Sequence, residues 1–334
     1  MNGGALPRAM DLPVGIDEVR AAAERVRPHL HRTPVITNAT IDEKVGAEVH
    51  FKMESLQKTG SFKARGATNA VARLSPDERQ RGVVTHSSGN HAQALAFAAK
   101  IFQVPCTVVM PKGSSKAKRD ATEGYGAHII DCDDNQTARE TAAAKVMRET
   151  GAVLIHPYDN PHIIAGQGTA ALELLEEVRG LDHILAPVGG GGLLAGTAIV
   201  ANAHRPQVGV IGCEPAGADD AFRSLGSGKR ITEQVPHTIA DGLRTTLGQL
   251  NFDILHKLAV PVRRVREEEI VTAMKFAWER TKQIIEPSSA VPLAVLLHDA
   301  KGLAGKRIGV IVTGGNVDTS VLFEALEKKI VRGT

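Results

Sequence analysis

The stretch His183-Ile184-Leu185-Ala186-Pro187-Val188-Gly189-Gly190-Gly191-Gly192-Leu193-Leu194-Ala195-Gly196 runs from an apolar segment, through four consecutive glycines, into an Ala-rich stretch that continues to residue 203. A near-continuous apolar run is what a strand buried on both faces of a parallel sheet requires, and the spacing after the glycines is helical. The same alternation extends in both directions. Further β-branched runs lie at 49–51, 82–86, 106–110, 128–130, 152–156, 208–213 and 307–313, with helical stretches at 90–102, 136–149, 162–179, 191–203, 267–283 and 317–330. Strands alternating with helices predict an α/β fold with parallel sheets flanked by helices. Eight strands in 334 residues suit two sheets better than one, and no internal repeat or low-complexity tether separates them.

Composition excludes several function classes. Lys+Arg number 40 against 37 Asp+Glu, a net charge of +3, and aromatics are only 3%. That is neither a basic footprint nor a stacking platform, so nucleic acid is not the expected partner. No apolar run reaches the ~18–20 residues of a membrane span, and the first twenty residues lack the apolar core of a secretory signal. Cys106, Cys132 and Cys213 are isolated and odd in number. They fit a reducing cytoplasm and argue against a disulfide framework or a zinc site.

Three clusters carry chemistry. Four glycines at a helix mouth let successive backbone N–H groups converge on one point, an anion cradle suited to phosphate. A plain strand-to-helix turn is the bland alternative, but such a turn rarely needs four glycines. No Gly-Lys-Ser/Thr follows, and the GxGxxG register with a later acidic residue is missing, which argues against a P-loop and a dinucleotide site. The second cluster is Thr59-Gly60-Ser61-Phe62-Lys63-Ala64-Arg65-Gly66. Read alone, Lys63 is one solvated lysine among many. Buried beside an aromatic ring, it would have a lowered pKa and could form a Schiff base with an aldehyde. A phosphorylated aldehyde of this kind is pyridoxal phosphate. The third cluster, His86-Ser87-Ser88-Gly89-Asn90-His91, ends a strand and opens a helix. Its Ser and Asn are ordinary N-caps on one reading, and a grip for an amino acid's carboxylate on the other.

Together with Gly166-Gln167-Gly168-Thr169 and Thr313-Gly314-Gly315-Asn316, these motifs resemble, in order, the fold-type II pyridoxal phosphate enzymes (tryptophan synthase β-like). Within them, the serine/threonine dehydratase and serine racemase group is the nearest likeness. The resemblance spans roughly residues 15–330. It implies a large cofactor domain from 1–81 and 160–334, a smaller substrate-gripping domain at 82–159, and a homodimer. It also implies that Lys63 is the Schiff-base lysine, that Phe62 packs beside the ring and that Gly189, Gly190, Gly191, Gly192 and Leu193 bind the phosphate. Asn90 would bond the ring's 3′-oxygen and Thr313 would meet the pyridine nitrogen. A hydroxyl there does not hold the nitrogen protonated, so the ring is a weaker electron sink and β-elimination is favoured.

The resemblance narrows further. Ser88 stands where racemase-like members carry serine and many dedicated threonine dehydratases carry alanine. It implies that Ser88 faces Lys63 across the substrate Cα, so that the pair can move protons on both faces. Ser87, Ser88, Gly89, Asn90 and His91 would bind substrate, with Arg139 a candidate for a second carboxylate. The alternative for Arg139 is an exposed helix arginine paired with Glu140 or its neighbours. Glu214, Asp220 and the Ala218 carbonyl match a divalent-cation loop whose oxygen donors suit Mg²⁺, Mn²⁺ or Ca²⁺; without the likeness, Glu214 reads as a solvated acid at a strand end. The expected activity is a pyridoxal phosphate-dependent ammonia-lyase acting on serine, threonine or 3-hydroxyaspartate, with serine racemase as the alternative main activity. A catalytically silent amino-acid-binding regulator and a nicotinamide oxidoreductase are the readings from other classes. The intact Lys63, Ser88 and Asn90 weigh against the first, and the missing dinucleotide fingerprint against the second.

Overall fold

The computed structural model describes residues 12–114 and 116–318; all but the first two residues of the helix expected over 317–330 lie outside them. Ten strands among these residues form two sheets. The first contains β1 (Val35–Ile36), β2 (Glu48–Met53), β7 (His183–Pro187), β8 (Gly209–Pro215), β9 (Val262–Val265) and β10 (Arg307–Val312), in the order β1-β2-β10-β7-β8-β9. The second contains β3 (Val83–His86), β4 (Cys106–Pro111), β5 (His128–Cys132) and β6 (Val153–Leu154), in the order β5-β4-β3-β6. Every pairing is parallel except that of β1 with β2. The helices are α1 (Ile16–Val26), α2 (Ala39–Val45), α3 (Lys63–Ala72), α4 (Pro76–Arg81), α5 (Asn90–Phe102), α6 (Lys116–Gly124), α7 (Gln136–Thr150), α8 (Pro161–Glu177), α9 (Gly192–Ala203), α10 (Asp220–Ser227), α11 (Gln249–Lys257), α12 (Glu267–Thr281) and α13 (Pro287–His298). None is long and apolar enough to cross a membrane.

The apolar runs are buried on both faces, as their composition requires. In β10, Ile308 and Val310 enter one core while Ile311 enters another; in β7, Leu185 divides likewise from Ile184 and Ala186. Side chains alternate across a strand, so a sheet packed on both faces needs an apolar residue at each position.

The Gly-Gln-Gly-Thr motif of α8 positions the site. A Cβ on Gly166 would lie 2.6 Å from the Cα of Gly66 in α3, and one on Gly196 in α9 would lie 2.6 Å from the backbone nitrogen of Gly168. Glycines at both crossings let α8 touch the backbones of α3 and α9 together. The helix that begins at Lys63 and the helix that follows the four glycines are thus clamped to one support.

A buried ionic cluster fixes the first turn of α3. Arg65, fully buried, donates to Glu54 at 2.7 and 2.8 Å, to both oxygens of Glu173 at 2.8 Å and to Thr169 at 3.2 Å. Lys52 reaches Glu173 at 2.8 Å and the Thr33 carbonyl at 2.6 Å. All five guanidinium N–H groups are satisfied, the condition under which a buried arginine is tolerated.

Candidate active site

Backbone pairing brings Lys63 to the end of β10. Ser61 bridges Gly314, the Phe62 N–H donates to the Thr313 carbonyl at 2.9 Å, and the Gly315 N–H donates to the Gly60 carbonyl at 3.0 Å. Phe62 and Lys63 therefore sit beside Thr313 at the start of α3. The Lys63 ammonium lies 5.2 Å from the Phe62 ring centroid and donates to the Pro157 carbonyl at 3.0 Å. Burial pushes its pKa down to about 8, against an opposing pull from Glu286. An amine in this range is neutral far more often near neutral pH than an exposed lysine, which is what nucleophile and base chemistry need. Thr313, 3% exposed, shares a 2.8 Å hydrogen bond with the Ser289 hydroxyl. Ser289 donates its own proton to the Gly314 carbonyl at 2.8 Å, so the Thr313 hydroxyl donates to Ser289 and keeps its lone pairs as acceptors.

The next residue after Pro157 reaches the four glycines. A Cβ on Gly190 would fall 2.2–2.4 Å from ring atoms of Tyr158, and Gly191 has φ +91° with Leu247 and Asn251 packed against it. The Gly190 carbonyl is held by the Asn251 amide at 2.6 Å and the Gly248 N–H at 3.1 Å. Gly192 opens α9, and Leu193 beside it is buried. Each of these glycines is required locally by close approach or positive φ, and none of them adds a side chain of its own to the mouth of α9.

Ser87, Ser88, Gly89 and Asn90 form the loop from β3 into α5, all half-buried. The N-cap of α5 is Gly89, with no side-chain cap hydrogen bond. The capping reading of Ser88 and Asn90 is thereby corrected: the loop closes on a glycine, whose N–H donates to the Ser87 hydroxyl at 3.4 Å, and the Ser88 hydroxyl and Asn90 carboxamide are not used there. Asn90 instead donates to both oxygens of Glu286, at 3.1 and 3.0 Å, and accepts from Asn316 at 2.8 Å. His91 lies under this loop. It is 2% exposed, bonded through Nε2 to the Ile155 carbonyl at 3.1 Å, and pushed by burial down to about 3. It is a neutral side chain packed beneath the loop, within electrostatic reach of Lys63, and its Nδ1 has no hydrogen-bond partner.

Arg139 projects from α7 and pairs with Asp134 at 2.5 Å, not with Glu140. Its Nε is buried without a hydrogen-bond partner, and its charge acts on His86. The rings of His86 and His156 lie 5.9 Å apart, and those of His156 and Tyr158 4.6 Å apart, so a line of rings leads from Arg139 towards Gly190. Burial lowers both histidines, His156 to about 4, with the charge of Arg139 acting on His86 and that of Lys63 on His156.

The loop after β8 neighbours the glycines: Asp220 is bonded to the amide of Leu247, whose side chain packs on Gly191, and its charge acts on Tyr158. Glu214 is fully buried, and its two oxygens accept from the Ala221 and Phe222 amides at 3.0 and 2.9 Å. Asp220, also fully buried, accepts from Gln234 at 2.6 Å and Leu247 at 2.7 Å. Burial pushes Glu214 up to about 9, with Asp220 adding to it, and Asp220 up to about 6. Ala218 closes the intervening turn, while neighbouring Asp219 pairs with Arg223 and Arg264. Among the described residues no group of three or more His, Cys, Asp or Glu could hold a metal; the set here is two carboxylates and a carbonyl.

Sequence reasoning missed Pro157, Tyr158, Glu286 and Ser289. The order of the motifs gave no signal for them, because they reach the site only through folding.

Comparison with known proteins supports this reading. Residues 26–314 match the family model described as "Pyridoxal-phosphate dependent enzyme". The chain is 49% identical over 319 residues to a serine racemase of Dictyostelium discoideum, covering 94% of this chain and 98% of that protein. It is 46% identical over 306 residues to a beta-hydroxyaspartate dehydratase of Paracoccus denitrificans, covering 92% and 97%. The solved structure of maize serine racemase superposes with a TM-score of 0.92 at 43% identity, covering 96% of this chain and 99% of that one. With the family model matched over residues 26–314 and relatives of 43–49% identity covering nearly the whole chain, the chain belongs to the fold-type II family of pyridoxal phosphate-dependent enzymes.

Proposed function

We propose that this enzyme is an ammonia-lyase that converts a β-hydroxy amino acid to a 2-oxo acid and ammonia. The observation that carries the reading is the seating of the Lys63 amine, with its burial-lowered pKa, between Phe62 and the Pro157 carbonyl. The residues fit pyridoxal phosphate: Lys63 would hold its aldehyde, Gly189–Leu193 its phosphate, Asn90 its 3′-oxygen and Thr313 its ring nitrogen. Bound there, the cofactor supplies an electron sink for the charge left when the Cα proton departs. Lys63 takes that proton on one face of the substrate, and Ser88 serves the other. Ser87, Gly89 and the free amides of α5 hold the α-carboxylate. The second sheet, whose strands all lie between Val83 and Leu154, supports residues 82–159 as the substrate-gripping domain and 1–81 with 160–334 as the cofactor domain.

Among substrates, the unpartnered Nε of Arg139 favours a second carboxylate, hence 3-hydroxyaspartate over serine or threonine. Racemisation is the second reading, favoured by a Ser88 hydroxyl that caps no helix. The test is 2-oxo acid formation from L- and D-serine, L-threonine and the 3-hydroxyaspartate isomers, with inversion recorded separately. A 2-oxo acid should appear. Arg139→Met should lower kcat/KM for 3-hydroxyaspartate by ~10–100-fold, as expected for a lost charged hydrogen bond, and change serine little. Equal losses on both substrates would remove Arg139 from the pocket. No 2-oxo acid from any isomer would overturn the lyase reading.

The divalent cation rests on Glu214, Asp220 and the Ala218 carbonyl. Two buried carboxylates without a cationic side chain on them are a hard oxygen donor set. Chelation should lower the melting temperature and activity, and Mg²⁺ or Mn²⁺ should restore both, because a ligand at 100 Kd stabilises by about 2.7 kcal/mol. Indifference to chelator, with no metal found by elemental analysis, would remove the site.

A further inference from the structure

Glu286 takes no part in the chemistry above, yet it lies against the same residues. It is 4% exposed, and its hydrogen-bond partners are neutral: the Asn90 carboxamide, on both oxygens, and the Asn316 backbone amide. Gly314 walls it in, since a Cβ there would lie 2.9 Å from the carboxyl carbon. Asn90 is held from its other end by Asn316, whose amide also donates to the Thr59 carbonyl at 2.9 Å. Asn90 is therefore aimed by two neighbours, one of which can carry charge.

We propose that Glu286 is the positioning residue of the cofactor's 3′-oxygen subsite, aiming the Asn90 carboxamide and taking up a proton when the 3′-oxyanion binds there. The proposal rests on the reading of Asn90 as that oxygen's partner. A carboxamide has two N–H donors and can give one to each of two anions, but it cannot neutralise either. Two negative oxygens on one neutral amide, in a site shielded from water, repel each other more strongly than in solvent. Protonation of the carboxyl relieves the repulsion and leaves a neutral oxygen that still accepts from Asn90.

The surroundings set where this happens. Burial pushes Glu286 up to about 7, Asn90 pulls it down, Asp241 pushes it up and Lys118 pulls it down. Lys118 reaches across from α6 and is bonded to Asp241 at 2.8 Å, so each tempers the other's influence. Lys63 faces Glu286 as well, and its free ammonium is lost from that face once its nitrogen bonds the cofactor. An arriving anion moves the carboxyl further up. Between about 7 and the raised value, binding takes up as much as one proton. The contribution of this group then makes cofactor affinity fall by up to ~10-fold per pH unit as pH rises.

The test uses full-length apoenzyme titrated with pyridoxal phosphate in calorimetry at pH 7.5, in two buffers of different ionisation heat, which reads proton uptake directly. Wild type should take up ~0.7 proton more per site with pyridoxal phosphate than with its 3-deoxy analogue, because a carboxyl titrating at about 7 is already about a quarter protonated at this pH. Glu286→Gln keeps the acceptor for Asn90 without the titration and should lose that difference. Its affinity relative to wild type should rise ~10-fold between pH 6.5 and 8.5. Equal proton stoichiometry for the cofactor and the 3-deoxy analogue in wild type would overturn the proposal, whatever the variant's folding. So would a Glu286→Gln protein, folded by circular dichroism, with unchanged proton uptake. Failure of pyridoxal phosphate to bind the apoenzyme would sink the proposed function and this inference together, whereas binding without the differential uptake sinks this inference alone.

Discussion

Lys63→Ala is expected to abolish turnover, by ~10⁴-fold or more for loss of both nucleophile and base, and to remove the cofactor's Schiff-base absorbance band while leaving the fold intact. The fold should survive because Lys63 contributes little to it. Its Nζ makes one hydrogen bond, to Pro157, and its ammonium is disfavoured by burial. The turn that presents it is held by other groups: Phe62 on Thr313, Gly60 and Gly315 on each other, and Arg65 in its carboxylate cluster. Alanine is also the residue best suited to a helix. Near-UV circular dichroism and the melting temperature should therefore stay close to wild type as activity disappears. A variant that keeps measurable elimination would show that another group removes the proton. A variant that unfolds would make Lys63 a structural residue.

Ser88→Ala separates the two faces of the reaction. If Lys63 serves one face and Ser88 the other, the variant should lose racemisation, and with it elimination of the enantiomer whose Cα proton points to Ser88. Elimination of the other enantiomer should survive. A general acid–base group contributes ~10²–10⁴-fold, so the loss should appear in kcat and on one enantiomer. A capping serine would behave differently, costing about 1 kcal/mol of stability and depressing both enantiomers alike. Gly89, not Ser88, caps α5, so a near-normal melting temperature is expected. Equal, modest losses on both enantiomers, or a wild-type enzyme that never exchanges the α-proton of the second enantiomer, would leave Ser88 without this role.

The strands and helices that proved legible in the sequence are those whose periodicity follows from burial. The runs ending at Val188 and Thr313 read as two-faced strands, and β7 and β10 are the neighbours at the centre of the larger sheet. The edge strands β1, of two residues, and β9, Val-Arg-Arg-Val, carry too little apolar signal to read as strands. Helix α13 is hidden for the opposite reason: Ser288 to Leu296 are all buried, so no polar face marks it, and Pro292 interrupts it. The site divides in the same way. Lys63, the glycines and Thr313 carry local signatures. Glu286-Pro287 reads as an acid and a proline at a helix start, a surface signature, and only the close approach of Gly314 and Asn90 shows that the carboxyl is inside. His91 reads as part of a polar loop because its neighbours are polar, but as the second residue of α5 its ring turns into the core against Ile155. Tyr158 has no signal until its ring is found over Gly190.

Reductive trapping tests the central assignment most directly. Borohydride treatment of the holoenzyme, followed by proteolysis and mass mapping, should place the reduced cofactor on the peptide containing Lys63 and on no other lysine, in proportion to lost activity. Stable attachment at a different lysine, or full inactivation with no adduct on Lys63, would contradict the account.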